Sequence, residues 1–91
     1  MRSLLRHKAF IRDMRKVHLT DTQAGKFFLY VATLLKGEPL PPEAMDHALH
    51  GEWRDFRELH QGGNTLLIYK ADDHHVFLTR LGSHTQLFKK V

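Results

Sequence analysis

NTLLIYKADDHHVFLTRL, residues 64–81, decides the fold. The run from 64 to 71 reads as a strand rich in Leu, Ile and Tyr, and Asp72-Asp73 is turn chemistry. HHVFLTRL then returns as a second strand. Strict alternation along it puts Val76, Leu78 and Arg80 on one face and Phe77, Thr79 and Leu81 on the other. Gly82 is expected to break that strand, and SHTQLFKKV is expected to form a tail of about one helical turn. Two strands joined by a tight turn make an antiparallel pair, the seed of a sheet.

Working back from this hairpin, residues 55–60, DFRELH, read as a further strand. Ahead of residue 44 the period lengthens. Phe10, Met14 and Val17 recur at i, i+4 and i+7, so a helix is predicted from Lys8 to about His18. Thr20 followed by Gln23 fits a capping box, with Asp21 as a competing cap. A second helix follows over 22–36, with Ala24, Phe27, Phe28, Val31, Leu34 and Leu35 forming its apolar stripe. Gly37 stops it, and the prolines of EPLPPE cannot continue it. SLLRH, 3–7, can form an opening strand. Helices followed by hairpin-linked strands imply an α+β fold with an antiparallel sheet.

The whole chain has 91 residues. One domain spanning 1–91 with a modest core is expected, and with it a shallow site rather than a deep cavity. Cysteine is absent, which excludes disulfides and thiolate metal sites and suits the cytoplasm. No apolar run reaches membrane-spanning length, and the charged N-terminal stretch lacks the apolar core of a signal peptide. Charge is uneven. Residues 1–36 carry eight Lys and Arg against Asp13 and Asp21, a balance of +6, whereas 37–91 carry six against eight acids, a balance of −2. The basic half suits a polyanion such as RNA or DNA, or is simply a solvated helical surface.

Chemistry gathers in DHALHGEWRDFRELH, residues 46–60, which holds His47, His50 and His60. Metal-ligand spacing is missing: His47 and His50 would share a face only on a helix, and no H-E-x-x-H or finger pattern occurs. No metal and no cofactor are expected. Proton transfer fits better, since imidazole titrates near neutral pH. RNA brings its own nucleophile, the 2′-hydroxyl. Cleaving it requires a base, an acid and cations for the phosphate, and histidines with arginines on one sheet face supply all three. His60 ends one strand and His84 follows another, so they can converge. Plainer readings stand beside these. His7, His18, His74 and His75 can be solvated polar residues, Trp53 core packing, Arg57 and Arg80 sheet-surface charges, and Phe88 the anchor of the tail.

The ordered set of residues resembles the YafQ-type branch of the RelE/ParE toxin superfamily. That pattern runs D-H-x-L-x-G-x-W, R-x-x-H, L-I-Y, R-x-G-[ST]-H and L-F. It is met at Asp46, His47, Leu49, Gly51, Trp53, Arg57, His60, Leu67, Ile68, Tyr69, Arg80, Gly82, Ser83, His84, Leu87 and Phe88. Residues 1–45 share only the two-helix layout and the Pro-rich joint.

The resemblance implies a RelE-like fold, two N-terminal helices packed on a twisted antiparallel sheet of four to five strands. It implies the toxin of a type II toxin–antitoxin module, a metal-independent endoribonuclease that cuts mRNA in the ribosomal A site and stops translation. It also implies a cognate antitoxin that wraps the toxin, with operator DNA met only through that partner, and no membrane. His47, His60 and His84 match the proton-handling histidines, Phe88 an aromatic implicated in activity, and Arg57 and Arg80 basic positions suited to phosphate. His50 matches no such role. One departure stands out: where some members carry a catalytic Asp followed by Trp, this chain has Asn64-Thr65. Asn64 can hydrogen-bond to RNA but cannot exchange a proton. The rival readings are a toxin that occludes the ribosome or gyrase without cutting, and a metal-dependent hydrolase.

Overall fold

The computed structural model describes residues 1–88, and the expected tail runs beyond them from Lys89. The chain forms strand β1 (Ser3–Arg6), helices α1 (Lys8–Lys16) and α2 (Asp21–Leu35), strands β2 (His47–Ala48), β3 (Arg57–Gly62), β4 (Thr65–Ala71) and β5 (His75–Ser83), and a one-turn helix α3 (His84–Leu87). Single 3-10 turns at Pro42–Ala44 and Gly51–Trp53 flank β2. The strands form one sheet in the order β1-β5-β4-β3-β2.

Local chemistry explains the helices. His7 is the cap of α1, and its Nδ1 accepts from the Ala9 N–H, so the expected opening strand ends one residue early. Val17 turns the chain back to extended backbone, ending α1 slightly before His18. Thr20 and Gln23 form the capping box of α2 reciprocally, an arrangement contributing about 1 kcal/mol. Gln23 also donates through Nε2 to the Gly62 carbonyl, tying the start of α2 to the β3–β4 turn.

The sheet corrects three expectations. It is mixed, not antiparallel: β1 runs parallel to β5, Ser3 opposite His75 and Arg6 opposite Leu78. This pairing is possible because two helices lie between the strands and carry the chain back to its starting end. Second, the register shifts between Ile68 and Tyr69, which face Arg80 and Leu78 and leave Thr79 as an extra residue. That bulge flips the alternation, so Leu81 joins Val76 and Leu78 in one cluster instead of opposing them. Third, Gly82 does not break β5; it stays paired with Leu66. The short strand β2 is a further element, antiparallel to β3.

The sheet is covered on both faces. Phe10, Phe27, Tyr30, Val31 and Leu34 from the helices pack with Leu59, Leu67, Tyr69, Val76, Leu78 and Leu81. Each such fully buried side chain contributes about 1.5–3 kcal/mol of transfer free energy. On the opposite face Leu66, Ile68 and Leu87 form a smaller cluster with Leu49, Trp53, Phe56 and Phe88. The α2 helix leaves Phe28 71% exposed. No helix is long and apolar enough to cross a membrane among the described residues.

Candidate active site

Register positions the site. Along β3, Leu59 faces the helices with its cross-strand partner Leu67, while Glu58 and His60 stand opposite Ile68 and Leu66 on the smaller-core face. His47 lies beside Glu58 across the β2–β3 pair. The Ser83 hydroxyl caps α3 by accepting from the Gln86 N–H, and Gln86 returns the bond to the Ser83 N–H. His84 is thereby held at the first position of α3. A Cβ on Gly82 would come within 2.9 Å of Gln86 Oε1, so the bare glycine is what lets α3 lie against the sheet.

These elements enclose a shallow cavity of about 380 Å³ lined by Glu58, His60, Gly63, Asn64, Leu66, Ser83, His84 and Thr85. His60, Asn64 and His84 thus meet, although 24 residues separate the two histidines. Phe88 packs against His84 with ring centroids 4.8 Å apart and the planes tilted by 42°, and it meets Trp53 edge-on at 5.5 Å. The His47 and His60 rings lie 6.4 Å apart. His50 is exposed in the loop ahead of the Gly51 turn.

Glu58 joins the histidines and is the residue that sequence reasoning missed. It is 5% exposed, and its Oε2 lies 3.2 Å from His47 Nε2 and 3.7 Å from His60 Nε2. Its Oε1 is buried without a hydrogen-bond partner among the described residues, a state that costs free energy and marks functional positions. The signal was present: Glu58 and His60 are two apart on a strand, hence on one face. His47 Nδ1 faces the Met45 carbonyl oxygen at 2.7 Å. Both ring nitrogens of His47 therefore lie within 3.2 Å of an oxygen, the Met45 carbonyl on one side and the Glu58 carboxylate on the other. The two Nε2 atoms approach one carboxylate oxygen, which is ion-pair geometry. Among the described residues no group of three or more His, Asp or Glu is arranged to hold a metal ion.

The two arginines sit elsewhere. Arg57 pairs with Tyr69 across the ladder, on the helix-covered face, and grips Asp46 through Nε and Nη2 at 3.1–3.3 Å. This bond raises the guanidinium further above its ordinary range. Tyr69 donates its hydroxyl to the same carboxylate, and burial followed by that bond pushes its phenol well above the ordinary value. Asp46, Arg57 and Tyr69 thus anchor the loop that presents His47. Arg80 Nε donates to Asp13 Oδ2 at 2.8 Å, and the same oxygen accepts from the Leu81 N–H at 2.9 Å. Asp13 takes over the edge of β5 where β1 ends. Both arginines are therefore held by carboxylates rather than facing the cavity.

Residues 2–89 match a family described as the bacterial toxin of type II toxin-antitoxin system, YafQ. The mRNA interferase toxin YafQ of Escherichia coli B is 38% identical over 81 residues, covering 87% of each chain. A copper-bound mutant toxin from Helicobacter pylori is 40% identical, covers 97% of this chain and all of its own, and superposes with a TM-score of 0.83. The E. coli DinJ-YafQ toxin-antitoxin complex superposes with a TM-score of 0.81 at 28% identity, over 96% of this chain and 97% of that one. The α+β architecture with its five-stranded mixed sheet is the one these toxins share. The chain belongs to the YafQ family of type II toxin–antitoxin toxins.

Proposed function

We propose that this toxin, a single domain over 1–91, is an endoribonuclease that cuts mRNA in the ribosomal A site, acts in the cytoplasm and needs no metal. The observation that carries the reading is the meeting of His60 and His84 in one cavity. One imidazole takes the proton of the RNA 2′-hydroxyl, which attacks the adjacent phosphorus. The other protonates the departing 5′-oxygen, leaving a 2′,3′-cyclic phosphate. Glu58 positions His60 and His47, and His47 adds a second imidazole beside the phosphate. Asn64 donates a hydrogen bond to a phosphate or base, and Phe88 fixes the His84 ring. Arg80 has an Nη1 not engaged by Asp13, and with Arg57 it offers a route for phosphate contact when RNA displaces part of a carboxylate bond. The exposed Lys8, Arg12, Arg15 and Lys16 of α1 suit ribosomal RNA. The relative named mRNA interferase supports the activity, and the DinJ-YafQ complex supports a cognate antitoxin here, for which the exposed Phe28 and Leu29 offer an apolar face.

Each histidine is expected to contribute about 10²–10⁴-fold. Induction of His60→Gln/His84→Gln should leave message intact and growth unaffected, with 5′-end mapping as the assay. Cutting by the double variant refutes the assignment. Arrest by wild type without new 5′ ends would favour occlusion instead, and loss of cutting on chelation would favour a metal hydrolase.

A further inference from the structure

Beyond the histidines, the same sheet face carries a second feature. Phe77 and Lys70 face each other across the β4–β5 ladder, and Leu5 lies opposite Phe77 on β1. Lys70 is two residues from Ile68, hence on the face that bears Glu58 and His60. Its ammonium lies 5.4 Å from the Phe56 ring centre and 5.2 Å from that of Phe77. With Leu5, Arg6, His7 and Thr79 these side chains line a cavity of about 450 Å³. Among the described residues no carboxylate lines it. Aromatic rings connect it to the active site: Phe56 meets Trp53 at 5.4 Å, Trp53 meets Phe88 at 5.5 Å, and Phe88 meets His84 at 4.8 Å.

We propose that this pocket is a nucleotide subsite for single-stranded RNA, in which a base stacks on Phe56 or Phe77 and the adjoining phosphate is held by Lys70 and Arg6. The proposal rests on the RNA-cutting reading above and names where the strand goes next. Apolar rings beside unopposed cations are what sequence-tolerant RNA binding requires. A phosphate draws the Lys70 ammonium off the rings and frees a ring face for the base. Lys70 lies four residues along β4 from Leu66, the cross-strand neighbour of His60, a separation of about 13 Å. The subsite is thus a few nucleotides from the scissile bond.

The probe is a short fluorescein-labelled single-stranded RNA made uncleavable by 2′-O-methyl groups, titrated at several salt concentrations. Phe56→Leu and Phe77→Leu should weaken binding by about 5- to 150-fold. Lys70→Gln, at an exposed position, should lower the slope of log affinity against log salt by about 0.7. His60→Gln/His84→Gln should fail to cut message, whereas the pocket variants should lose affinity for the uncleavable probe. If all three pocket variants bind with wild-type affinity and salt slope, the proposal is overturned, as it is if they lose only affinity for an antitoxin peptide. Thermal unfolding of Lys70→Gln controls for folding. Failure of wild type to cut message overturns the catalytic reading, while the titration still judges the pocket.

Discussion

Gly82→Ala tests the link between a missing side chain and the placement of a reactive one. The new Cβ would lie 2.9 Å from Gln86 Oε1, closer than real Cβ contacts come, and 3.3 Å from Leu87 Cδ2, a tight contact that obliges Leu87 to give by a few tenths of an ångström. Gln86 must move, which breaks its acceptance of the Ser83 N–H and costs about 0.5–2 kcal/mol, as cap losses do. Crowding buried Leu87 costs about 1–3 kcal/mol. Gly82 has no left-handed backbone, so alanine adds no backbone strain and returns about 0.4–1 kcal/mol through the unfolded chain. Taken at their midpoints these contributions leave a net loss of about 2.5 kcal/mol, or about 10–20 °C in Tm for a chain of this size. The larger core, on the other face of the sheet, is untouched, so the variant folds. Pushing α3 outward carries His84 with it, and a shift approaching 1 Å costs about 10²-fold in cleavage. Circular-dichroism melting and 5′-end mapping in a reconstituted translation reaction read both effects. In a Gln86→Ala background the alanine should cost less, because its nearest obstacle is gone. Wild-type Tm together with wild-type cutting in Gly82→Ala refutes the reasoning.

Other outcomes follow from the same geometry. Thr20→Ala removes the cap of α2 and should cost about 1 kcal/mol in urea unfolding; a midpoint unchanged from wild type would show that the box adds nothing. Asp13→Asn weakens the charge-assisted bonds to Arg80 and Leu81 and should cost about 1–3 kcal/mol, measured in the same way. Alkaline titration addresses Tyr69, whose phenol burial holds above its ordinary value of 10.0. The folded chain keeps that proton where the unfolded chain has lost it. Stability is therefore full below about pH 10 and falls as pH rises further, by up to about 1.4 kcal/mol per pH unit. Tyr69→Phe should flatten this slope, with Tyr30, also raised by burial, retaining a smaller part. An identical slope in the variant would rule out Tyr69 as its source.

What was legible in the sequence was local. The capping box of α2 is set by neighbours three apart, and the β4–β5 hairpin by two aspartates. Asp72 accepts the His74 and His75 N–H groups, bonds that hold its carboxyl below the usual range. The sequence allowed His60 and His84 to converge, since hairpin-linked strands bring their ends together, but only the sheet register brings both to one cavity. What escaped reading was set at a distance. The parallel pairing of β1 with β5 spans most of the chain, and no residue of SLLR encodes its partner. Thr79 gives no sign of being a bulge until β4 fixes the register. Arg80 and Arg57 read as free cations because Asp13 lies 67 residues away from one and Asp46 lies 11 from the other. Glu58 looked like an ordinary strand carboxylate until two imidazoles closed on it.

The parallel edge also sets the order in which this molecule is made. Ser3 waits for His75, and the reactive pair waits for His84. At about 5–20 residues per second of synthesis, the 49 residues between Leu35 and His84 take about 2–10 s. During that interval α1 and α2 are complete while the sheet that covers Phe10, Phe27 and Tyr30 is not. A nascent toxin is therefore sticky before it is armed, and its maker has several seconds to bind it while it is still harmless.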